Sequence, residues 1–206
     1  KEMSLGIFMN AFSKALKLNS QAQFHLLNGS QDDVQYQSYF DILDNKINSV
    51  LPGKAEELID KLHQALVKRQ EQSEEQAIYV FASNFQRFRN LQKKDDFSWD
   101  ETEKSSADKL EELIQLGPEN GIHFFIHCDS FSSYLRILSN KSLQEFDYRI
   151  LSQMSQTDSL SCIDKSDASK LELHTALLYQ DHNGLVKKFR THALASINFY
   201  KELMSH

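Results

Sequence analysis

The chain has 206 residues, of which 40% are hydrophobic and 25% charged, and its six Gly and two Pro exclude a collagen-like or low-complexity protein. Its formal net charge of -6 argues against a domain that wraps nucleic acid through bulk electrostatics. No apolar run approaches the roughly 20 residues that cross a bilayer, and no secretory signal is evident, so we expect a cytoplasmic protein. Cys128 and Cys162 have no partner at metal or redox spacing and are predicted to be core residues. The chain starts with Lys, and its third residue already follows a helical pattern, which indicates a fragment of a longer polypeptide.

The first third of the chain predicts three helices and a strand. Apolar residues recur at helical spacing over 5–18, and the run over 23–30 is typical of a buried strand. A second helix is predicted from Asp32 and Asp33 toward Ile47, and Pro52 with Gly53 ends it. Residues 54–72 predict an amphipathic helix with its charged side chains on one face.

The middle of the chain predicts two strands buried on both faces, over 77–83 and 121–128. A short helix over 84–92 and a charged surface loop over 93–104 are predicted between them. Ser105 with Asp108 indicates a capping box that opens a further helix, which Gly117 and Pro118 end.

The last third predicts a helix over 134–138, a strand from Phe146, a helix over 157–164 and a final helix over 194–203. Asn183-Gly184 predicts a hairpin with a type I′ turn, which adds an antiparallel edge to the sheet. Alternating helices and strands indicate one α/β domain over 1–206, in three layers, with a mostly parallel sheet between helices.

Two sequence features resemble ligand sites without meeting their requirements. Gly53-Lys54-Ala55 lacks both the first glycine and the hydroxyl residue of a phosphate-binding loop, so a helix start is favoured. His123 and His127 share a face of their strand but stand about 13 Å apart, too far to bind one ion, so structural roles are favoured.

Asp129 and Ser130 follow the second buried strand, where open α/β sheets bind ligands. Aspartate and serine are also common first residues of helices, because their side chains accept backbone N-H groups. A ligand site and a helix cap are therefore equally good interpretations of this pair.

Several segments, taken in order, resemble the motor domain of the FtsK/SpoIIIE and HerA group of DNA-translocating ATPases. Residues 4–16 are similar to the helix that leaves the P-loop, residues 23–30 to the next strand, and residues 77–88 to the Walker B strand. Residues 121–130, 146–164 and 170–190 resemble the family's later motifs, and the resemblance covers nearly the whole chain. It implies a RecA-like P-loop NTPase fold, and the matching late positions are Gly121, Ile122, His123, Arg149, Ile150, Met154, Ser155, Asp158, Ser159, Asp164, Leu178 and Tyr179.

The chain departs from this family where catalysis depends on charge. Ser83 and Asn84 stand where the Walker B Asp and Glu of an active member bind Mg²⁺ and orient water. Met3 and Ser4 fall where the P-loop Lys and Ser or Thr align, and Leu160 replaces a usual Arg. Residues 172–175 replace a turn that contains glycine. Joint loss of such charges predicts negligible hydrolysis.

The resemblance therefore implies a degenerate translocase-type module of a larger, bacterial FtsK-like protein, kept for assembly or regulation. Met3, Ser4, Ser83, Asn84, Asp129 and Ser130 are its expected nucleotide-binding positions; no catalytic or metal-binding residue is expected. ATP is the implied cofactor, bound without efficient hydrolysis, and the implied partners are an active motor domain of the same polypeptide, sister subunits of a ring, and DNA. Two alternatives stay open: a working ATPase whose site is completed by residues upstream of Lys1, and a protein-interaction module without nucleotide.

Overall fold

The computed structural model describes residues 2–30, 34–44, 47–72, 76–92 and 104–205. Its helices are α1 (Glu2–Leu18), α2 (Val34–Asp44), α3 (Ala55–Glu71), α4 (Ser106–Leu116), α5 (Phe131–Tyr134), α6 (Asn140–Gln144), α7 (Gln156–Ile163) and α8 (Ile197–Ser205). Its strands are β1 (Gln23–Asn28), β2 (Asn48–Val50), β3 (Ile78–Ser83), β4 (Ile122–Ile126), β5 (Tyr148–Leu151), β6 (Thr175–Gln180) and β7 (Leu185–Arg190). No helix in these ranges is long and apolar enough to cross a membrane.

Four strands form a parallel sheet in the order β2-β1-β3-β4, with helices on both faces. Its alternating side chains supply two separate apolar cores. Leu27, Val80 and Ile122 face α3 and α4, whereas Leu26 and Phe81 face α1, α2 and α8. The predicted α/β fold class is confirmed.

The predicted C-terminal hairpin is present, but its predicted place in the sheet is wrong. β6 pairs antiparallel with β7 on one side and with β5 on the other, which makes a separate three-stranded sheet. The inner face of this second sheet packs on α7 through a third apolar cluster that includes Leu151, Cys162 and Leu177. Phe131 and Leu143 pack against both this cluster and the α3/α4 core.

The type I′ turn predicted at Asn183-Gly184 is also wrong. Residues Asp181–Asn183 form one turn of 3-10 helix, and only Gly184 has a positive φ, of 62°. The Asn183 side-chain oxygen accepts the N-H of Leu185 at 2.9 Å, so the asparagine stabilises the turn through its side chain.

The predicted helix over 84–92 is wrong, because the structure has two 3-10 turns there, Phe85–Arg87 and Arg89–Leu91. Phe85, Phe88 and Leu91 are all buried in the α3/α4 core. Their spacing of three residues places them on one face of a 3-10 helix, whose period is three, better than on an α-helix.

Other predictions differ in extent. Of the helix predicted over 134–138, only Tyr134 is helical, and it is the last residue of α5 (Phe131–Tyr134). β4 was predicted to be fully buried, but it ends the parallel sheet, and Phe125 is 42% exposed. The sequence did not predict β2, α6 or the place of β5 in a second sheet. The predicted helix start at Asp32 and Asp33, and most of the loop over 93–104, lie outside the described residues.

Candidate functional site

Polar side chains of two neighbouring strands meet at the carboxyl edge of the parallel sheet. The Ser83 hydroxyl, at the end of β3, is fully buried and lies 3.2 Å from the Ser30 hydroxyl, just beyond β1. The Asn84 side-chain N-H donates to the same Ser30 oxygen at 2.7 Å. Ser83 and Asn84, the predicted Walker B positions, therefore both contact the Ser30 hydroxyl in a network of uncharged groups.

Gly29 allows the end of β1 to approach β3 this closely. Its N-H donates to the Ser83 carbonyl at 3.0 Å. A Cβ atom at this position would lie 2.5 Å from the carbonyl oxygens of both Ser83 and Asn84, so a larger residue does not fit. The Ser30 N-H then donates to the Asn28 side-chain oxygen at 2.9 Å, which fixes the turn that presents Ser30.

Asn84 connects this network to the end of β4. Its backbone is left-handed, with φ 46° and ψ 53°, a conformation that asparagine tolerates better than most residues. Its N-H donates to His127 Nδ1 at 3.3 Å, and the next N-H, of Phe85, donates to the His127 carbonyl at 2.9 Å. Because burial lowers the pKa of His127 to about 4, this imidazole is neutral at pH 7 and accepts at Nδ1.

The first turn of α1, which contains Met3 and Ser4, lies at the same edge of the sheet. The Phe8 ring, four residues after Ser4 on the same face of the helix, lies 6.2 Å from the His127 ring and 5.7 Å from the Phe81 ring. The start of α1, with its partial positive charge, thus lies on the side where β3 and β4 end. Ser4 is half-buried.

Asp129 and Ser130 follow β4 and are both exposed. The Ser130 hydroxyl accepts the Ser133 N-H at 3.2 Å and so caps α5, as one of the two interpretations predicted. It also donates to the Asp129 carboxylate at 3.2 Å. A cap that is exposed to solvent does not exclude a ligand, so the nucleotide-binding role of this pair stays a prediction.

His123, in β4, and His127, directly after it, have the structural surroundings that were favoured for them. The His123 ring stacks on Tyr79, with 5.2 Å between centroids, and burial lowers its pKa. Within the described ranges, no group of three or more His, Cys, Asp or Glu side chains is placed to bind a metal ion. The groups at the ends of β1 and β3, with His127, thus offer hydroxyls, an amide and a neutral imidazole, which can form hydrogen bonds with a ligand but supply no charge to Mg²⁺. The Asp129 carboxylate, after β4, is a charged group at this edge.

Sequence reasoning missed the contributions of Asn28, Ser30 and His127 to this site. A signal for the first two was present, because the carboxyl ends of neighbouring parallel strands meet at one edge. The polar run Asn28-Gly29-Ser30 ends β1 as Ser83-Asn84 ends β3. The role of His127 depends on the left-handed backbone of Asn84, which has no comparable sequence signal.

A pocket of about 520 Å³ lies between the antiparallel sheet and helices α6 and α7. Arg149 lines it and is 9% exposed. Its guanidinium donates to the carbonyls of Leu143 and Cys162 at 3.1 and 2.9 Å, and lies 2.8 Å from the Asp181 carboxylate. These contacts show Arg149 joining α6, α7 and the second sheet.

No protein-family model matches the chain, and no curated protein matches it. Solved structures do. The conjugation coupling protein TcpA of pCW3, in its monomer form with ATPγS, is 14% identical with a TM-score of 0.65; the match covers 96% of this chain and 61% of TcpA. The genome packaging NTPase B204 from Sulfolobus turreted icosahedral virus 2, in complex with AMP, is 12% identical with a TM-score of 0.59, over 95% of this chain and 94% of B204.

The cytoplasmic domain of the type VII secretion ATPase EccC from Thermomonospora curvata is 14% identical with a TM-score of 0.59, over 97% of this chain and 26% of that one. At these identities the likeness defines the fold. The chain shares the RecA-like α/β fold of these proteins, and the resemblance found in the sequence is confirmed at the level of the fold.

Proposed function

We propose that this chain is a translocase-type P-loop NTPase module that does not hydrolyse ATP efficiently and acts in assembly or regulation of a larger, DNA-associated motor protein. The observation that supports this most directly is the network at the end of β3. Ser83 is fully buried against Ser30, and Asn84 donates its side-chain N-H to the same hydroxyl. Both Walker B positions are thus occupied by uncharged groups that already have partners.

These groups are poorly suited to both tasks of a Walker B pair. Mg²⁺ prefers anionic oxygen ligands, and Ser83 offers only a neutral hydroxyl that is fully buried beside Ser30. A general base must accept a proton, which the Asn84 amide does not do near pH 7. Removing one positioned charge or donor typically costs a factor of about 10² to 10³ in rate, so the combined effect leaves negligible turnover.

The proposed partners rest on analogy with proteins that share the fold. B204 is a genome packaging NTPase and TcpA a conjugation coupling protein. By analogy, we propose that this module associates with an active motor domain of the same polypeptide or with sister subunits in a ring, close to DNA. We propose that ATP, where it binds, contacts the starts of α1 and α5 and the end of β3, through Met3, Ser4, Ser83, Asn84, Asp129 and Ser130.

Phosphate release from Mg-ATP by the natural polypeptide tests the loss of hydrolysis. Because another domain of that polypeptide could contribute turnover, the comparison is between the wild type and Asn84→Gly, which removes the side chain and accommodates the left-handed backbone. We expect equal rates, since Asn84 performs no chemistry. Asn120→Gly is the matched control, because Asn120 also makes one side-chain hydrogen bond, to the Leu116 carbonyl. A tenfold fall in rate for Asn84→Gly alone would refute the proposal and favour a working ATPase completed by upstream residues.

DNA binding is tested separately by a mobility shift at low salt, where contacts with phosphates are strongest. We expect a shift that weakens steeply as salt is added. A flat titration would favour the alternative of a protein-interaction module without nucleic acid.

A further inference from the structure

The oxygen atoms around the end of β3 already accept hydrogen bonds within the protein. The Ser83 carbonyl accepts the Gly29 N-H, and the Asn84 carbonyl accepts the Arg87 N-H, both at 3.0 Å. The Ser30 hydroxyl oxygen accepts the side-chain N-H of Asn84 at 2.7 Å. These bonds fix the direction of each oxygen, and none of the three oxygens carries a charge. The end of β3 therefore offers no anionic ligand to Mg²⁺, which needs near-octahedral oxygen coordination.

N-H groups are the donors that the same edge presents instead. The Asn84 side-chain nitrogen carries two N-H groups, of which Ser30 accepts one. His127 accepts the backbone N-H of Asn84 at Nδ1, at 3.3 Å, so the proton of its neutral ring is on Nε2. The ring is neutral at pH 7 because burial lowers the pKa of His127 to about 4. Asn84 and His127 each supply an N-H donor beside the end of β3.

This arrangement reverses the polarity of a site that binds phosphate through a metal ion. Carboxylates and phosphates repel each other, so a cation must bridge them. N-H groups attract phosphate oxygens directly, and the start of a helix adds a partial positive charge. The start of α1 lies on this side of the sheet, since the Phe8 ring is 6.2 Å from the His127 ring. The magnesium ion of the fold family does not fit this set of donors.

Asp129 brings a carboxylate to the edge, but the described residues do not build a metal site around it. Its Oδ1 accepts the Ser130 hydroxyl at 3.2 Å, and both residues are exposed. Within the described ranges, no group of three or more His, Cys, Asp or Glu side chains is placed to bind one ion. Because Mg²⁺ is often bound by one carboxylate together with phosphates, Asp129 is the residue to vary in a test.

We propose that the phosphates of a nucleotide bind at the end of β3 directly, through N-H groups of Asn84 and His127, without a bridging Mg²⁺ ion. This inference rests on the proposed binding of ATP at this edge. It adds that the protein binds the metal-free nucleotide at least as tightly as the magnesium complex. A site with two Walker B carboxylates has the opposite dependence, because those carboxylates repel phosphate until a metal ion bridges them.

Local hydrogen exchange tests this proposal in the natural polypeptide, where another domain could also bind nucleotide. The backbone N-H groups of Ser30 and Asn84 are bonded to side chains of this edge, so their protection reports binding here. The protein is titrated with ATP, once in excess Mg²⁺ and once in EDTA. We expect the affinity in EDTA to equal that in Mg²⁺ within about threefold, or to exceed it. A tenfold or larger loss of affinity in EDTA would overturn the proposal.

Asn84→Asp provides a second test, because it replaces the N-H donor with a carboxylate of nearly the same shape. Aspartate also tolerates the left-handed backbone of this position. We expect the affinity for ATP in EDTA to fall at least tenfold and Mg²⁺ to restore it, since the new carboxylate repels phosphate. Asn120→Asp is the matched control. Asn120 also donates from its side chain, to the Leu116 carbonyl, and it lies before β4 at the opposite edge of the sheet. An affinity in EDTA that Asn84→Asp leaves unchanged would contradict direct binding at Asn84.

The outcomes separate this inference from the proposed function. Wild-type binding that needs Mg²⁺, with the requirement removed by Asp129→Asn, would assign the metal ion to Asp129 and refute this inference alone. If ATP protects neither amide, with or without Mg²⁺, nucleotide binding at this edge is refuted as well.

Discussion

Replacing Gly29 with Ala tests whether the ends of β1 and β3 approach as closely as the candidate site requires. The new Cβ atom would lie 2.5 Å from two carbonyl oxygens, about 0.9 Å inside the 3.4 Å at which ordinary contact begins. Both oxygens belong to the backbone, so no side-chain rotation relieves the overlap. Moving the Ser83 carbonyl away also weakens the hydrogen bond that it accepts from Gly29.

The magnitude follows from these two effects. Overpacking costs about 1–3 kcal/mol, and a weakened backbone hydrogen bond adds about 1 kcal/mol. We therefore expect Gly29→Ala to lower the free energy of unfolding by about 2–4 kcal/mol. With a urea slope of about 2 kcal/mol/M, the unfolding midpoint falls by about 1–2 M.

Urea unfolding followed by circular dichroism measures this change. Gly53→Ala is the matched control, because a Cβ atom there meets no heavy atom within 4 Å. We expect it to be neutral or to stabilise by up to about 1 kcal/mol, through a smaller entropy of the unfolded chain. A Gly29→Ala midpoint equal to that of Gly53→Ala would refute the close approach at the site.

Three further predictions concern the core, the second sheet and pH. Phe81→Ala should cost about 3–5 kcal/mol in urea unfolding, because Phe81 is fully buried, and Phe125→Ala less than half as much, because Phe125 is partly exposed. Asp181→Asn should cost about 3 kcal/mol in the same assay, because it leaves the deeply buried Arg149 guanidinium without its counter-charge. Arg149→Met should cost about 2 kcal/mol, because it leaves the carbonyls of Leu143 and Cys162 without their donor. The pKa of His127 is about 4 when folded, against 6.5 when unfolded, so stability should fall by about 3 kcal/mol as pH drops from 6.5 to 4. Its ring resonances should not shift between pH 8 and 5.5 by NMR; a titration midpoint near 6.5 would contradict this.

The longer strands of the parallel sheet could be predicted because each is an unbroken apolar run. The long helices that pack on the sheet could be predicted because their apolar residues recur at helical spacing. β2 could not, because its three residues contain one apolar side chain, Val50. The turns over 85–91 place three apolar residues in the core, at intervals of three. A segment this short does not show whether its period is that of a 3-10 helix or of an α-helix. Their form depends on the left-handed backbone of Asn84, which redirects the chain as it leaves β3.

The candidate site could be predicted only in part, for a similar reason. Ser83 and Asn84 were identified from their position after β3, which the apolar run of that strand defines. Their partners follow other strands: Ser30, after β1, contacts both side chains, and His127, after β4, accepts the backbone N-H of Asn84. Which hydroxyl faces which depends on the register of three strands, and no local pattern contains that information.

The shared packing of Phe131 and Leu143 has a consequence for how the molecule comes apart. These two partly buried side chains contact both the α3/α4 core and the apolar cluster under the antiparallel sheet. Where two cores share few side chains, one can open without the other, in the manner of a foldon. Truncating either residue should therefore loosen the C-terminal sheet at a urea concentration that leaves the parallel sheet intact, and turn one cooperative transition into two.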